Sequence, residues 1–210
     1  CRRATAFPKV IIPLVSGWAV LEKSLPLQTG TPPRPGYVTE AYHFAPHPGL
    51  WLRGAKASLN GASNVAVWHL RSYMGDDEAG LSAANRDPMG SGYTGGTVTN
   101  VAAINCELAW SCDELLDMYF SHDCVSLLNC AFINPLHESS LNPSEDHGFG
   151  PMMGGGAQFG VAATFRCLWA NITDRAPFTN ATGLTHANNL HWNSGRPGGG
   201  AGYAVRIVNQ

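Results

Sequence analysis

Asn100-Val-Ala-Ala-Ile-Asn-Cys-Glu-Leu108 and Cys124-Val-Ser-Leu-Leu-Asn-Cys-Ala-Phe132 share one pattern: an apolar β-favouring run, then asparagine, cysteine and a second short run. The same pattern recurs in Asn64-Val-Ala-Val-Trp-His-Leu-Arg71, Val161-Ala-Ala-Thr-Phe-Arg-Cys-Leu-Trp169, Gly183-Leu-Thr-His-Ala-Asn-Asn-Leu190 and Gly202-Tyr-Ala-Val-Arg-Ile-Val-Asn209. The segments superpose on Val65, Val101, Val125, Ala162, Leu184 and Ala204. Four residues beyond these anchors stand His69, Asn105, Asn129, Arg166, Asn188 and Val208; five beyond stand Leu70, Cys106, Cys130, Cys167, Asn189 and Asn209. The shorter steps between anchors cluster near one length, and the longer ones read as a rung plus an insertion of about a dozen residues. Like residues at like positions in successive repeats predict stacked ladders, as in a parallel β-helix whose rungs lie about 4.8 Å apart. Stacked asparagines then bond from rung to rung. A β-sandwich, built from alternating strands and tight hairpins, gives such ladders no reason to exist.

Cys106, Cys130 and Cys167 fall in one of these columns. A disulfide needs Cβ atoms about 3.8 Å apart, closer than in-register stacking gives. Buried free thiols are expected there, and no cysteine pair has zinc-finger spacing. Cys112 and Cys124 fall in turns. Residues 1–50 hold prolines at 8, 13, 26, 32, 33, 35, 46 and 48 and read as an irregular segment covering the start of the solenoid. Residues 51–210 read as the β-helix domain, about six rungs long. The strand that ends near Gln210 leaves a solenoid end without a cap. That end reads either as a truncated C-terminus or as a surface on which copies stack into a homo-oligomer.

Composition narrows the function. Charged residues are only 13% of the chain and the net charge is −2. Lysine occurs only at 9, 23 and 56. No basic stripe for nucleic acid is present. The apolar stretch Val10–Leu21 is broken by Pro13, Ser16 and Gly17, too short to span a bilayer. With 24 glycines and 14 prolines, turns are frequent. The run Met152-Met153-Gly-Gly-Gly reads as one such turn, since no phosphate-loop lysine follows it.

The segment from Asn171 to Asn193 points to chemistry. Its Arg175-Ala-Pro177 turn precedes the strand His186-Ala-Asn-Asn-Leu190, a flat polar surface beside a fixed cation, suited to an acidic sugar. Together with Cys106-Glu-Leu-Ala-Trp-Ser-Cys-Asp-Glu114 and His147-Gly-Phe-Gly…Gly154, in this order, the segment resembles the pectate lyases. The likeness is to the bacterial branch with Trp-Ser-x-Asp-Glu and His-Gly-Tyr-Gly motifs, and it runs from about Trp51 to Asn209. The resemblance implies a right-handed parallel β-helix, secreted or at a bacterial cell surface. It implies calcium-assisted β-elimination on polygalacturonate or a related uronan. Position by position, Arg175 matches the catalytic arginine. Asp113 and Asp117, with Glu114 beside them, match the Ca²⁺-binding acids. His147 matches a motif residue that either holds the Gly-rich loop or touches substrate. Asn180 stands where a second arginine is expected, and His137 lies near the place of a substrate-binding lysine; both are candidate substrate contacts. The acid expected before Leu81 aligns with Ala79, with Asp76, Asp77 and Glu78 close by. Arg53, Arg71 and Arg86 are the cations left to tune Arg175. His186 reads as a packed ladder residue. These departures leave a second expectation open: a non-catalytic β-helix that binds glycan or assembles end to end.

Overall fold

The computed structural model describes residues 9–27, 37–77, 86–91, 96–119, 122–141, 147–154, 160–179, 181–194, 198–199 and 204–208. They form a right-handed parallel β-helix with three sheets. Sheet A has eight strands in chain order, and sheets B and C have seven each. Every strand pair is parallel, as a coil that returns to the same face once per turn requires. No helix among the described residues is long and apolar enough to cross a membrane.

Sheet A is the set of repeats read from the sequence. Val65 pairs in register with Val101, Val101 with Val125, Val125 with Ala162 and Ala162 with Leu184. The last rung differs by one residue. Leu184 aligns with Val205, not Ala204. A shift of one would flip every side chain of that strand to the other face. The observed register puts Val205 and Ile207 in line with the buried positions 184 and 186, and Arg206 in line with exposed Thr185.

From Ser63–Trp68 to Gly183–Ala187, each sheet A strand turns into sheet B through a two-residue corner. The first corner residue, His69, Asn105, Asn129, Arg166 or Asn188, has φ between 52° and 58°. Asparagine tolerates this left-handed conformation better than most residues, which explains its recurrence. The second falls inward: Leu70, Cys106, Cys130 and Cys167 are buried. The three thiols are free, and each Sγ lies 3.4–3.5 Å from a carbonyl oxygen of the preceding rung. Asn189 replaces cysteine at the next rung, and its Oδ1 accepts from the Cys167 amide at 2.8 Å. In the corner column where stacking was expected, the bond seen is between Asn105 and His69; asparagine-to-asparagine bonds form at other columns. Asn105 Nδ2 donates to His69 Nε2 at 3.1 Å and Asn100 to Asn64 at 2.6 Å. At the far end of sheet B, Asn193 donates to Asn171 and Asn171 to Asn134, at 2.9 and 2.6 Å.

The Pro-rich beginning is more regular than its composition suggests. Lys9–Ile11 and Val38–Ala41 add two strands to sheet A, Gly17–Val20 and Leu50–Arg53 begin sheet B, and Leu25–Pro26 begins sheet C. The solenoid therefore starts before Trp51, and sheet A has two rungs beyond the six read from the sequence. Among the described residues, Pro13, Pro46 and Pro48 sit outside the strands and Pro26 lies on the edge strand of sheet C, where a missing N–H is tolerated. Met152–Met153, expected as a turn, is a sheet C strand paired with Asp117 on one side and Phe178–Thr179 on the other.

The interior is filled by inward columns. On sheet B, Leu52, Ser72, Leu108, Phe132, Trp169 and His191 align. The Phe132 and Trp169 rings stack at 4.7 Å, and Trp169 and His191 at 5.7 Å. His186 on sheet A closes this end. It is 2% exposed, its Nδ1 meets Thr164 Oγ1 at 2.6 Å and its Nε2 meets His191 Nε2 at 2.9 Å. Burial, then the neighbouring His191, pulls the His186 pKa down to about 4. The folded state thus holds His186 neutral. Protons taken up by the unfolded chain from its ordinary value of about 6.5 downwards destabilise the fold until the folded-state value is reached. Urea unfolding should therefore show wild type losing about 2 kcal/mol relative to His186→Leu between pH 7 and pH 4. Parallel pH profiles for the two proteins would contradict this.

Candidate functional site

The candidate site lies along the start of sheet C, whose strands are only two residues long. Asp87 precedes Met89–Gly90 by two residues, as Glu114 precedes Leu116–Asp117, and Met89 pairs with Leu116. The stack continues through isolated parallel bridges from Glu114 to Phe149 and from Phe149 to Asp174. In-register coiling thus brings residues from four rungs onto one edge. Two glycines make the close approach possible. A Cβ at Gly150 would collide with the Arg175 carbonyl, and one at Gly90 with the Asp117 backbone.

Asp87, Asp113 and Glu114 are all buried, and each offers a carboxylate oxygen within 4.8 Å of the others. The Glu114 amide donates to Asp87 Oδ1 at 3.1 Å. Lys56 Nζ, itself buried, lies 2.7 Å from Asp87 Oδ2 and 3.8 Å from Asp117 Oδ2. Burial pushes the Asp87 carboxyl up to about 8; Lys56 opposes this, and Asp117 and Asp113 add to it. Three crowded carboxylates with oxygen donors and an excess of negative charge suit a hard divalent cation such as Ca²⁺. The residues that would hold it are Asp87, Asp113 and Glu114. Asp117, expected as a ligand, instead faces Lys56, and its Oδ1 accepts from the Tyr119 amide at 2.7 Å.

Arg175 joins this cluster. Its Nη1 forms an ion pair with Glu114 Oε1, and its guanidinium carbon sits 4.0 Å above the Phe149 ring. The side chain is 27% exposed, whereas that of Glu114 is 2% exposed. Arg175 has φ 59°, a left-handed conformation that a long side chain rarely adopts. Its amide donates to Asp174 Oδ1 at 2.7 Å, which helps hold the turn. Backbone strain of this kind gathers at binding sites. His147 Nε2 lies 3.5 Å from Asp113 Oδ1, and its ring meets the edge of Phe149. His147 is thus a neighbour of the acidic cluster.

His137 lies further along the edge. It lines a polar cleft of about 330 Å³ with Asn171, Ile172, Thr173, Asn193 and Ser194. Gly148 separates it from the Arg175 turn; a Cβ there would press on His137 and on Thr173. Thr173 Oγ1 donates to the His147 and Gly148 carbonyls, both at 2.9 Å. Asn180 lies outside the described residues.

Asp87, Lys56 and Phe149 were missed in the sequence. Of the acids close to the position expected before Leu81, Asp76 accepts from the Ser140 amide at 3.0 Å and Asp77 pairs with Arg53, while Glu78 and Ala79 lie outside the described residues. Arg71 packs over Trp51, and Arg86 is fully buried with Nη1 donating to the Gly75 carbonyl at 3.1 Å. Asp87 and Glu114 stand at the same offset from their strands, but those strands are two residues long and carry no pattern in the sequence.

Because the Asp87 pKa is raised, its burial costs stability as pH climbs from about 4 towards about 8, and Lys56 limits that cost. Lys56→Met should lower unfolding stability by about 3 kcal/mol near pH 8 and above, and by less near pH 5, where Asp87 is already protonated. A loss under about 1 kcal/mol, or one independent of pH, would contradict the buried pairing. Compared with family models, curated proteins and solved structures, the chain matches none of them.

Proposed function

We propose that the sheet C edge binds an acidic polysaccharide of the polygalacturonate type and cleaves it by calcium-assisted β-elimination. The observation that carries this reading is the convergence of Arg175 with Asp87, Asp113 and Glu114 from separate rungs, beside the polar cleft of His137. The resemblance of the Asp113-Glu114, His147 and Arg175 motifs to pectate lyases supports it. Ca²⁺ held by the three carboxylates would neutralise the uronate carboxylate and acidify the proton α to it. Arg175, the most exposed member of the cluster, is placed to meet the sugar and accept that proton. His147 orients Asp113, and Phe149 fixes the plane of the guanidinium. His137, Asn171 and Asn193 offer hydrogen bonds to hydroxyl groups along the chain.

One observation favours the non-catalytic alternative. The ion pair with Glu114 stabilises the charged guanidinium, the opposite of what a base requires. A protein that holds Arg175 in this state binds uronan without cleaving it.

The two readings separate in one experiment. The protein is incubated with polygalacturonate and Ca²⁺, and unsaturated product is followed by ultraviolet absorbance. The lyase reading expects product that disappears with chelator and falls at least ~100-fold in Arg175→Ala. Binding without product, lost in Arg175→Ala, selects the non-catalytic reading. Neither product nor binding overturns both.

A further inference from the structure

A second cleft lies at the corner between sheets A and B, away from the sheet C edge. At later rungs this corner takes two residues; at the rung of Val38–Ala41 it is residues 42–49, opened by a 3₁₀ turn at Tyr42–Phe44. The longer corner shapes a cleft of about 320 Å³ whose lining includes His43, His47, His69 and Arg71. No carboxylate lines it. His43, His47 and His69 are exposed, and the His43 and His69 rings lie 5.2 Å apart. Asn105 donates to His69 Nε2, which leaves Nδ1 as the protonated nitrogen of the neutral ring. Arg71 has no ion-pair partner among the described residues. Its guanidinium packs over Trp51, and a Cβ at Gly49 would sit only 3.1 Å from its Nη1. The acids nearest this face are otherwise engaged: Glu40 is buried, and Glu107, opposite Arg71 in register, bonds the Tyr73 hydroxyl.

Arg71 also links the cleft to an aromatic strip on the outer face of sheet B. Trp18 stacks on Trp51 at 5.8 Å, and Tyr73 meets Trp18 at 5.8 Å and Trp110 at 5.1 Å. Trp18 and Trp110 are 53% and 42% exposed. Aromatic rings beside fixed polar groups suit ligands with one apolar and one wet face, as sugar rings have. A cationic cleft that continues into such a strip fits a sugar that carries a negative charge.

We infer that the cleft of His43, His47, His69 and Arg71 binds the anionic group of an acidic saccharide whose rings lie on the Trp51–Trp18–Tyr73–Trp110 strip. The site is separate from the sheet C cluster and needs no calcium. The anion is a uronate carboxylate or a sulfate ester, both of which a guanidinium meets through paired hydrogen bonds. Affinity rises as pH falls, because an anion favours the protonated form of His69, which burial, then the neighbouring His43 and Arg71, otherwise holds neutral.

Calorimetry with hexagalacturonate, a sulfated hexasaccharide and inorganic phosphate tests this, with chelator present so that calcium-dependent binding at sheet C makes no contribution. One of the two saccharides should bind about tenfold tighter near pH 5.5 than near pH 8. Arg71→Gln, on an exposed face and checked for an unchanged unfolding midpoint, should weaken it about tenfold, and Arg175→Ala should leave it unchanged. The tighter saccharide identifies the anion. No saccharide binding near pH 5.5, equal binding by phosphate, or unchanged affinity in Arg71→Gln would overturn the inference and leave the sheet C reading as it stands.

Discussion

In-register stacking of one rung on the next is the constraint on which the rest of this molecule depends. Each turn of the coil satisfies its backbone groups on the turns above and below, so no rung is set independently of its neighbours. The register is fixed at corners that need a left-handed residue: His69, Asn105, Asn129, Arg166 and Asn188 on one edge, Trp110, Asn134, Asn171 and Asn193 on another. A corner displaced by one residue would place a β-branched or apolar residue in that conformation and turn the strand inside out. Buried thiols at Cys106, Cys130 and Cys167 serve the same geometry as small apolar wedges beneath the corner, and side-chain amide ladders tie the corners outside.

What the sequence revealed follows from where the repeat is strongest. Sheet A strands are five to seven residues long through the middle rungs and lead into Asn105–Cys106, Asn129–Cys130 and Arg166–Cys167, so both the columns and their alignment could be read directly. The last strand was displaced by one because Ala204 and Val205 are both small and apolar and no asparagine–cysteine pair follows. The first two rungs were hidden for another reason. Their corners are longer loops, residues 12–16 and 42–49, and their sheet A strands are only three and four residues long. Sheet C was least legible of all. Two-residue strands have no periodicity, so Asp87 and Lys56 could not be aligned with Asp113 and Asp117 until the coil was built.

That same short sheet concentrates the charge. Lys56, Arg86, Asp87, Asp113, Glu114 and Asp117 are all buried, and Arg175 is the member that reaches towards solvent. A buried network of this kind is a weak source of stability, because desolvation offsets most of the attraction. Such a network, in a fold that could fill the same space with apolar side chains, is what supports the proposed site at the sheet C edge. Burial first, and then the neighbouring Asp117 and Asp113, raises the Asp87 pKa, and a bound divalent cation would relieve the cost of ionising it.

The spatial meeting of Glu114 and Arg175, far apart in sequence and joined only by correct stacking, is the most direct test. A double-mutant cycle of Glu114→Gln and Arg175→Gln, read by urea unfolding, measures it. In-register stacking predicts a coupling of about 1–3 kcal/mol, since Glu114 is buried and Arg175 is its ion-pair partner. Additivity within about 0.5 kcal/mol would mean that the two side chains do not meet, and the site built on them would fall.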